Sequence, residues 1–212
     1  MTMEPWSFGE APLPAVVQLA DVLRELTSTI LSLERTSPEL EHLAVVLRES
    51  QLRLAADAPV DPSPRIGERA TPHQRVYVDH SRDVGSYNPF FPHYQLRAEG
   101  SAAQGTVSFP VCYEGPPGIV HGGFLAVFFD CVLQQLNCDL GLAGKTAELS
   151  LRFRRPTPLL TPLVVHAERS IDGSRIRSRA ELLLGDKVLC EAEMLAAAGN
   201  RDALPTVSPR RP

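Results

Sequence analysis

Gly115 to Asn137 reads GPPGIVHGGFLAVFFDCVLQQLN, a glycine-rich turn that runs straight into an apolar segment. Pro116, Pro117 and Gly118 favour a turn, Gly122 and Gly123 leave the backbone free of side-chain cover, and no Gly or Pro follows until Gly141. The pattern predicts a helix of four to five turns. From Phe124 to Leu133 nine of ten positions are apolar and the tenth is Asp130. A helix hydrophobic on all sides is normally buried, which predicts that Asp130 is buried with it. An ionised carboxylate without partners in such a place is costly, so Asp130 is expected to be neutralised, hydrogen-bonded or used in chemistry.

Beyond this helix the sequence turns to period two. In TAELSLRFRR, residues 146–155, alternation predicts a strand with Leu149, Leu151 and Phe153 toward a core and Ser150, Arg152 and Arg154 away from it. Further strands are predicted over Leu163–Ser170, Arg175–Leu184 and Lys187–Ala196, with hairpin turns at Asp172-Gly173 and Gly185-Asp186. Upstream, Arg75–Asp79, Tyr94–Glu99 and Gly105–Val111 also read as strands. Nearer the N-terminus, Val16, Leu19, Leu23, Leu26, Ile30 and Leu33 recur at alternating spacings of three and four, the seam of one helix ending near Arg35. Ser37 then reads as an N-cap before Pro38 and Glu39, opening a second helix with Leu40, Leu43, Leu47 and Leu54 on one side. The expected organisation is a helical hairpin over 1–57, whose seam packs on its own partner helix or the neighbouring domain, with self-association through a longer coiled coil as the alternative, a proline-rich linker over 58–74, a main domain over 75–198, and a disordered tail over 199–212.

Composition narrows the function. The 212 residues are 43% hydrophobic and 22% charged, ordinary for a globular protein. A net charge of -4 argues against a broad nucleic-acid surface. The start, MTMEPWSFGEAP, has no basic region and no long apolar run, so no signal peptide is expected, and no stretch reads as a membrane span. Cys112, Cys131, Cys138 and Cys190 form no CxxC pair and fall in expected core segments, which suits a reducing, cytoplasmic setting. The six histidines lack metal-ligand spacing, so no metal site is expected. No G-x-S-x-G is present, leaving a serine-hydrolase route without support.

A carbonyl attacked by water becomes an oxyanion, and the free N–H groups at a helix N-terminus suit that charge. Gly122 and Gly123 offer such donors, although two glycines at a helix start also serve close packing. Asp130 lies eight residues beyond Gly122, roughly 12 Å down the same helix, so one chain cannot bring both to one carbonyl. Two copies of the helix running antiparallel about a two-fold axis could.

VHGGFLAVFFD preceded by YEGPPG and followed by TAELSLRFRRPTPL resembles the hotdog-fold acyl-CoA thioesterases of the phenylacetate, PaaI-like type, over roughly Asn88 to Ala196. The resemblance implies an α+β fold, a long central helix wrapped by a curved antiparallel sheet, here with an N-terminal helical hairpin added. It also implies a homodimer or homotetramer, catalytic groups from two subunits, and coenzyme A as part of the substrate with no separate cofactor. By that resemblance Asp130 is base or nucleophile, the Gly122 N–H polarises the thioester carbonyl, and Thr146 helps hold the water; a strand-edge threonine is the structural alternative for Thr146. One departure is Gly115, where several family members carry Asn. His121 reads as a carbonyl donor or as a helix cap. Gly123 stands beside Gly122 as a second donor, and Arg152, Arg154 and Arg155 read as partners for coenzyme A phosphates or as a solvated strand face. Two other functions are open: a catalytically silent acyl-CoA-binding module, and a hotdog enoyl-CoA hydratase, whose Asp, Asn-Pro and His motif Asp83, Asn88-Pro89 and His93 faintly resemble.

Overall fold

A computed structural model describes residues 14–57, 83–140 and 144–198. The expected strand Arg75–Asp79, the linker and the tail lie outside the described residues. Two N-terminal helices, α1 (Pro14–Leu31) and α2 (Pro38–Asp57), precede a one-turn helix α3 (Val84–Tyr87), strands β1 (Tyr94–Glu99) and β2 (Ala102–Val107), and a 3₁₀ turn at Val111–Tyr113. Then come the central helix α4 (Gly122–Asp139) and strands β3 (Gly144–Phe153), β4 (Leu163–Asp172), β5 (Arg175–Leu184) and β6 (Lys187–Ala198).

The six strands form one antiparallel sheet in the order β1-β2-β4-β5-β6-β3. Gly173 and Gly185, both at φ 59°, turn the β4–β5 and β5–β6 hairpins in the left-handed conformation that favours glycine. β2 occupies Ala102–Val107 rather than the expected Gly105–Val111, because Pro110 and the 3₁₀ turn take over the chain after Val107. β3 pairs only with β6 among the described strands, so its other edge is open.

Helix α4 lies against β1, β3, β4, β5 and β6, and the sheet wraps it in the hotdog arrangement. Phe128, Phe129, Val132, Leu133 and Leu136 are wholly buried along it, each contributing roughly 2–3 kcal/mol of apolar burial. Its C-terminal carbonyls are held by Arg169, which donates to Asn137 O at 2.9 Å and Leu140 O at 2.6 Å, a cation where the helix dipole favours one. The helix is not buried on all sides, contrary to the sequence expectation. Gly123 is exposed, and Ala126, Asp130 and Gln134 are only half-buried, a stripe at spacings of three and four.

The N-terminal seam also behaves differently from its pattern. α1 docks on the main domain through Ala20 and Arg24, both buried, and Ser28, against α3 and the 3₁₀ turn. Arg24 ion-pairs with Asp21 and donates to Asn88 O at 3.3 Å, while Ser28 Oγ accepts the Cys112 N–H at 3.3 Å. Val16, Leu19, Ile30 and Leu33 of the predicted seam remain exposed, and α2 has no buried residue. The docked face joins Val17 and Ala20 with polar matching to the Asn88 carbonyl and the Cys112 amide, and is not the seam read from the spacing. α1 stops at Leu31 rather than near Arg35, after Thr27, Ser28, Thr29 and Ser32 have turned their hydroxyls onto carbonyls four residues back. The Ser37 cap forms as expected, accepting the Glu39 N–H at 3.3 Å.

Candidate active site

The approach to α4 is pinned by backbone bonds. Gly115 N–H donates to Ile119 O, Val120 N–H to Thr157 O and His121 N–H to Tyr113 O, each at 2.9 Å. Gly118, at φ 75°, turns the loop and donates to the Glu114 carboxylate at 2.7 Å. A β-carbon placed on Gly115 would stand 2.8 Å from His121 Cα. The loop as folded therefore has no space for asparagine at 115 without moving the residue that starts the helix.

His121 is the N-cap: its Nδ1 accepts the Gly123 N–H at 3.0 Å. Cap and donor, alternatives in the sequence, are compatible here. An Nδ1 that accepts leaves the neutral ring's proton on Nε2, so the exposed edge of His121 is a hydrogen-bond donor. The same bond removes Gly123 as a free donor, correcting the expectation of two open amides. Gly122 N–H has no acceptor among the described residues. Phe153, expected in the core, is 58% exposed and its ring tip lies 3.1 Å from where a Gly122 β-carbon would be. It forms a rim over the helix start.

Asp130 faces outward on the open stripe of α4, half-buried rather than buried. Thr146 Oγ1 donates to its Oδ1 at 2.8 Å. This contact depends on an irregularity in β3. Thr146 pairs with Ala196 and Glu148 with Leu195, leaving Ala147 as an extra residue. In an unbroken strand Thr146 would share the face of Glu148 and Ser150, away from the helix. The bulge reverses its parity, so it joins Leu149 and Leu151 on the side facing α4.

Gln134, one turn beyond Asp130, donates from Nε2 to Thr146 Oγ1 at 2.7 Å and to Gly144 O at 3.0 Å. Sequence reasoning passed over it, although its i+4 spacing from Asp130 is a readable signal. Cys131 is adjacent in sequence but no nucleophile: burial, reinforced by the Asp130 charge, pushes its thiol up to about 12.

The arginines stand mostly as strand-face groups. Arg154 pairs with Glu191 at 2.8 Å and Arg155 donates to Val188 O at 2.7 Å, while Arg152 is exposed without a side-chain partner among the described residues. The hydratase-like residues each have structural partners. Asp83 accepts from Gln135 at 3.1 Å, Asn88 Oδ1 accepts the Phe90 N–H at 3.1 Å, and His93 lies 3.6 Å from Asp21. No group of metal-ligating side chains occurs among the described residues. A surface cavity of about 1090 Å³ is on the outer face of the sheet between Arg97, Gln104, His166 and Glu181, remote from the side on which α4 packs.

No family model matches the chain. Among curated proteins, the acyl-coenzyme A thioesterase THEM4 of Mus musculus is 34% identical over 64 residues, and that of Bos taurus 38% identical over 55. These matches cover 30% and 26% of this chain, and it spans only 27% and 22% of the two relatives' lengths. A crystal structure of a thioesterase superfamily protein matches far more fully, at 32% identity and a TM-score of 0.72 over 89% of this chain and 97% of that one. At that identity and coverage, the chain belongs to the thioesterase superfamily and has its hotdog fold.

Proposed function

We propose that this protein hydrolyses an acyl-CoA thioester to the free acid and coenzyme A, at a site shared by two copies of the chain. The observation that carries the reading is the Asp130–Thr146 pair, bonded at 2.8 Å and presented on the open stripe of α4. Thr146 occupies one carboxylate oxygen, and the other is available to take a proton from water. The water oxygen bonds to the carbonyl carbon, and the resulting oxyanion is received by the Gly122 N–H and His121 Nε2–H of the second copy. The carbon–sulfur bond then breaks and the coenzyme A thiolate leaves, taking up a proton. Arg152, the one arginine of the three whose guanidinium has neither a side-chain nor a backbone partner among the described residues, is the best placed for a coenzyme A phosphate.

Two features favour the paired arrangement. Gly122 and Asp130 are roughly 12 Å apart along one helix, too far to share a carbonyl. The half-open stripe with Gly123 and Ala126 permits close approach of a second α4, beside the open edge of β3. A dimer, alone or within a tetramer, is the assembly proposed. The cysteines form no disulfide among the described residues, which supports a reducing, cytoplasmic setting, and no helix among the described residues is long and apolar enough to cross a membrane.

Free-thiol release across aliphatic and aromatic acyl-CoAs tests the activity, with Asp130→Asn as control. The nearly isosteric amide cannot act as base or nucleophile, so turnover should fall by about 100-fold or more in a folded protein. Near-normal turnover by Asp130→Asn would overturn the mechanism. Two observations favour a second reading, a silent binding module: Gly115 leaves no room for asparagine and His121 consumes the Gly123 amide. Acyl-CoA binding without thiol release in the unmutated protein would establish it.

A further inference from the structure

Gln134 is bonded to the Asp130–Thr146 pair through one nitrogen. Its Nε2 lies 3.0 Å from Gly144 O and 2.7 Å from Thr146 Oγ1. A backbone carbonyl only accepts, so the end of the amide that meets Gly144 must be the NH₂ group; the reversed amide would set two acceptors against each other. Both amide hydrogens are then committed, one to Gly144 and one to Thr146. Thr146 therefore accepts from Gln134, and its single hydroxyl proton is left for Asp130 Oδ1 at 2.8 Å, the alternative being the weak acceptor Met194 Sδ at 3.9 Å.

We propose that Gln134 is a positioning residue that sets the direction of the Thr146 hydrogen bond and so determines which oxygen of Asp130 meets the water. The bonds run one way, from the Gly144-anchored amide through the hydroxyl to the carboxylate. With its proton on Oδ1, Thr146 has one lone pair remaining, and it serves the water as an acceptor, not the thioester carbonyl as a donor. Oδ2 is the oxygen left to act. Strand and helix cooperate in this: the β3 bulge brings Thr146 to the helix, and the i+4 position on α4 brings Gln134 to the same hydroxyl.

The inference rests on the hydrolase reading for its catalytic consequence, but its geometry is testable without substrate. In ¹⁵N-labelled protein the two Gln134 side-chain amide protons should both be protected from exchange, and Thr146→Val should move one resonance and spare the other. If neither moves, the relay does not exist. For catalysis, Gln134→Met keeps the length and removes both donors; kcat should fall about tenfold with KM unchanged and the melting temperature little altered. In a Thr146→Val background the same substitution should cost nothing further, since its effect passes through the hydroxyl. Gln134→Glu, an acceptor where a donor is required, should draw the Thr146 proton away from Asp130 and lower kcat at least as much as Gln134→Met. Equal losses from Gln134→Met in both backgrounds, or a normal kcat in the single variant, would overturn the positioning role. A protein that hydrolysed no thioester would overturn the proposed function, while the amide protons would still decide the relay.

Discussion

Two crippled chains should restore each other if the site is shared. The perturbation pairs Asp130→Ala, which removes the acid, with Gly122→Pro, which removes the backbone donor. The structure shows why proline is tolerable at 122. Gly122 is the first residue of α4, where proline is favoured, and His121 before it has φ -65° and ψ 132°, the extended conformation that a residue preceding proline adopts. A β-carbon at 122 would stand 3.1 Å from the tip of Phe153, an exposed side chain rather than backbone. Each mutant homodimer should be nearly inactive. In a mixed dimer one site combines the intact acid of one chain with the intact amide of the other, while the second site has both defects. Random equal mixing makes half of the dimers mixed, each with one of two sites working, so recovery should reach about a quarter of the unmutated rate. The assay is thiol release after subunit exchange, with exchange confirmed by native mass spectrometry. If both homodimers are folded and exchange is complete, absence of rescue would refute the meeting of Gly122 and Asp130 across the interface.

Three further outcomes follow from packing and burial. Gly115→Ala should lower stability by about 1–3 kcal/mol in denaturant melts and reduce turnover, because its methyl group would stand 2.8 Å from His121 Cα and displace the cap. Arg24→Ala should cost about 2 kcal/mol and loosen α1, measured by hydrogen exchange over 14–31, since it removes the buried link from Asp21 to the Asn88 carbonyl. Burial raises the Cys131 thiol to about 12 and the Cys190 thiol to about 11, above the unfolded value of about 8.5. A raised thiol stabilises the fold fully below the unfolded value and loses that contribution as pH climbs through the folded ones, so the melting temperature should fall between about pH 9 and 11. Cys131→Ala with Cys190→Ala should flatten that slope.

By itself the sequence determined the elements whose causes are local. The start of α4 follows from the glycine-rich turn and a cap at His121, the second helix from Ser37 and Pro38, and the β4–β5–β6 meander from alternation punctuated by Gly173 and Gly185. Asp130 and Gly122 also stood out as candidates, since an acid in an apolar run and amides at a helix start are chemical facts before they are structural ones, whereas Thr146 was singled out only by the resemblance to the hotdog thioesterases. Their relations were not legible. Composition makes α4 look wholly buried, yet one β3 edge and one helix stripe stay open, so Asp130 is half-exposed. Alternation puts Thr146 on the wrong face, and only the extra residue in the β3–β6 ladder turns it toward the acid. Counting glycines offers two free amides, but the His121 ring takes one of them. The α1 seam is real as a pattern, but a helix docks by the face that its neighbour can match, and here Arg24 and Ser28 meet a carbonyl and an amide. Propensity, capping and turn chemistry act over a few residues and are written in order along the chain. Register, parity and the choice of docked face depend on residues far apart in sequence, and they exist only once the sheet has closed around the helix.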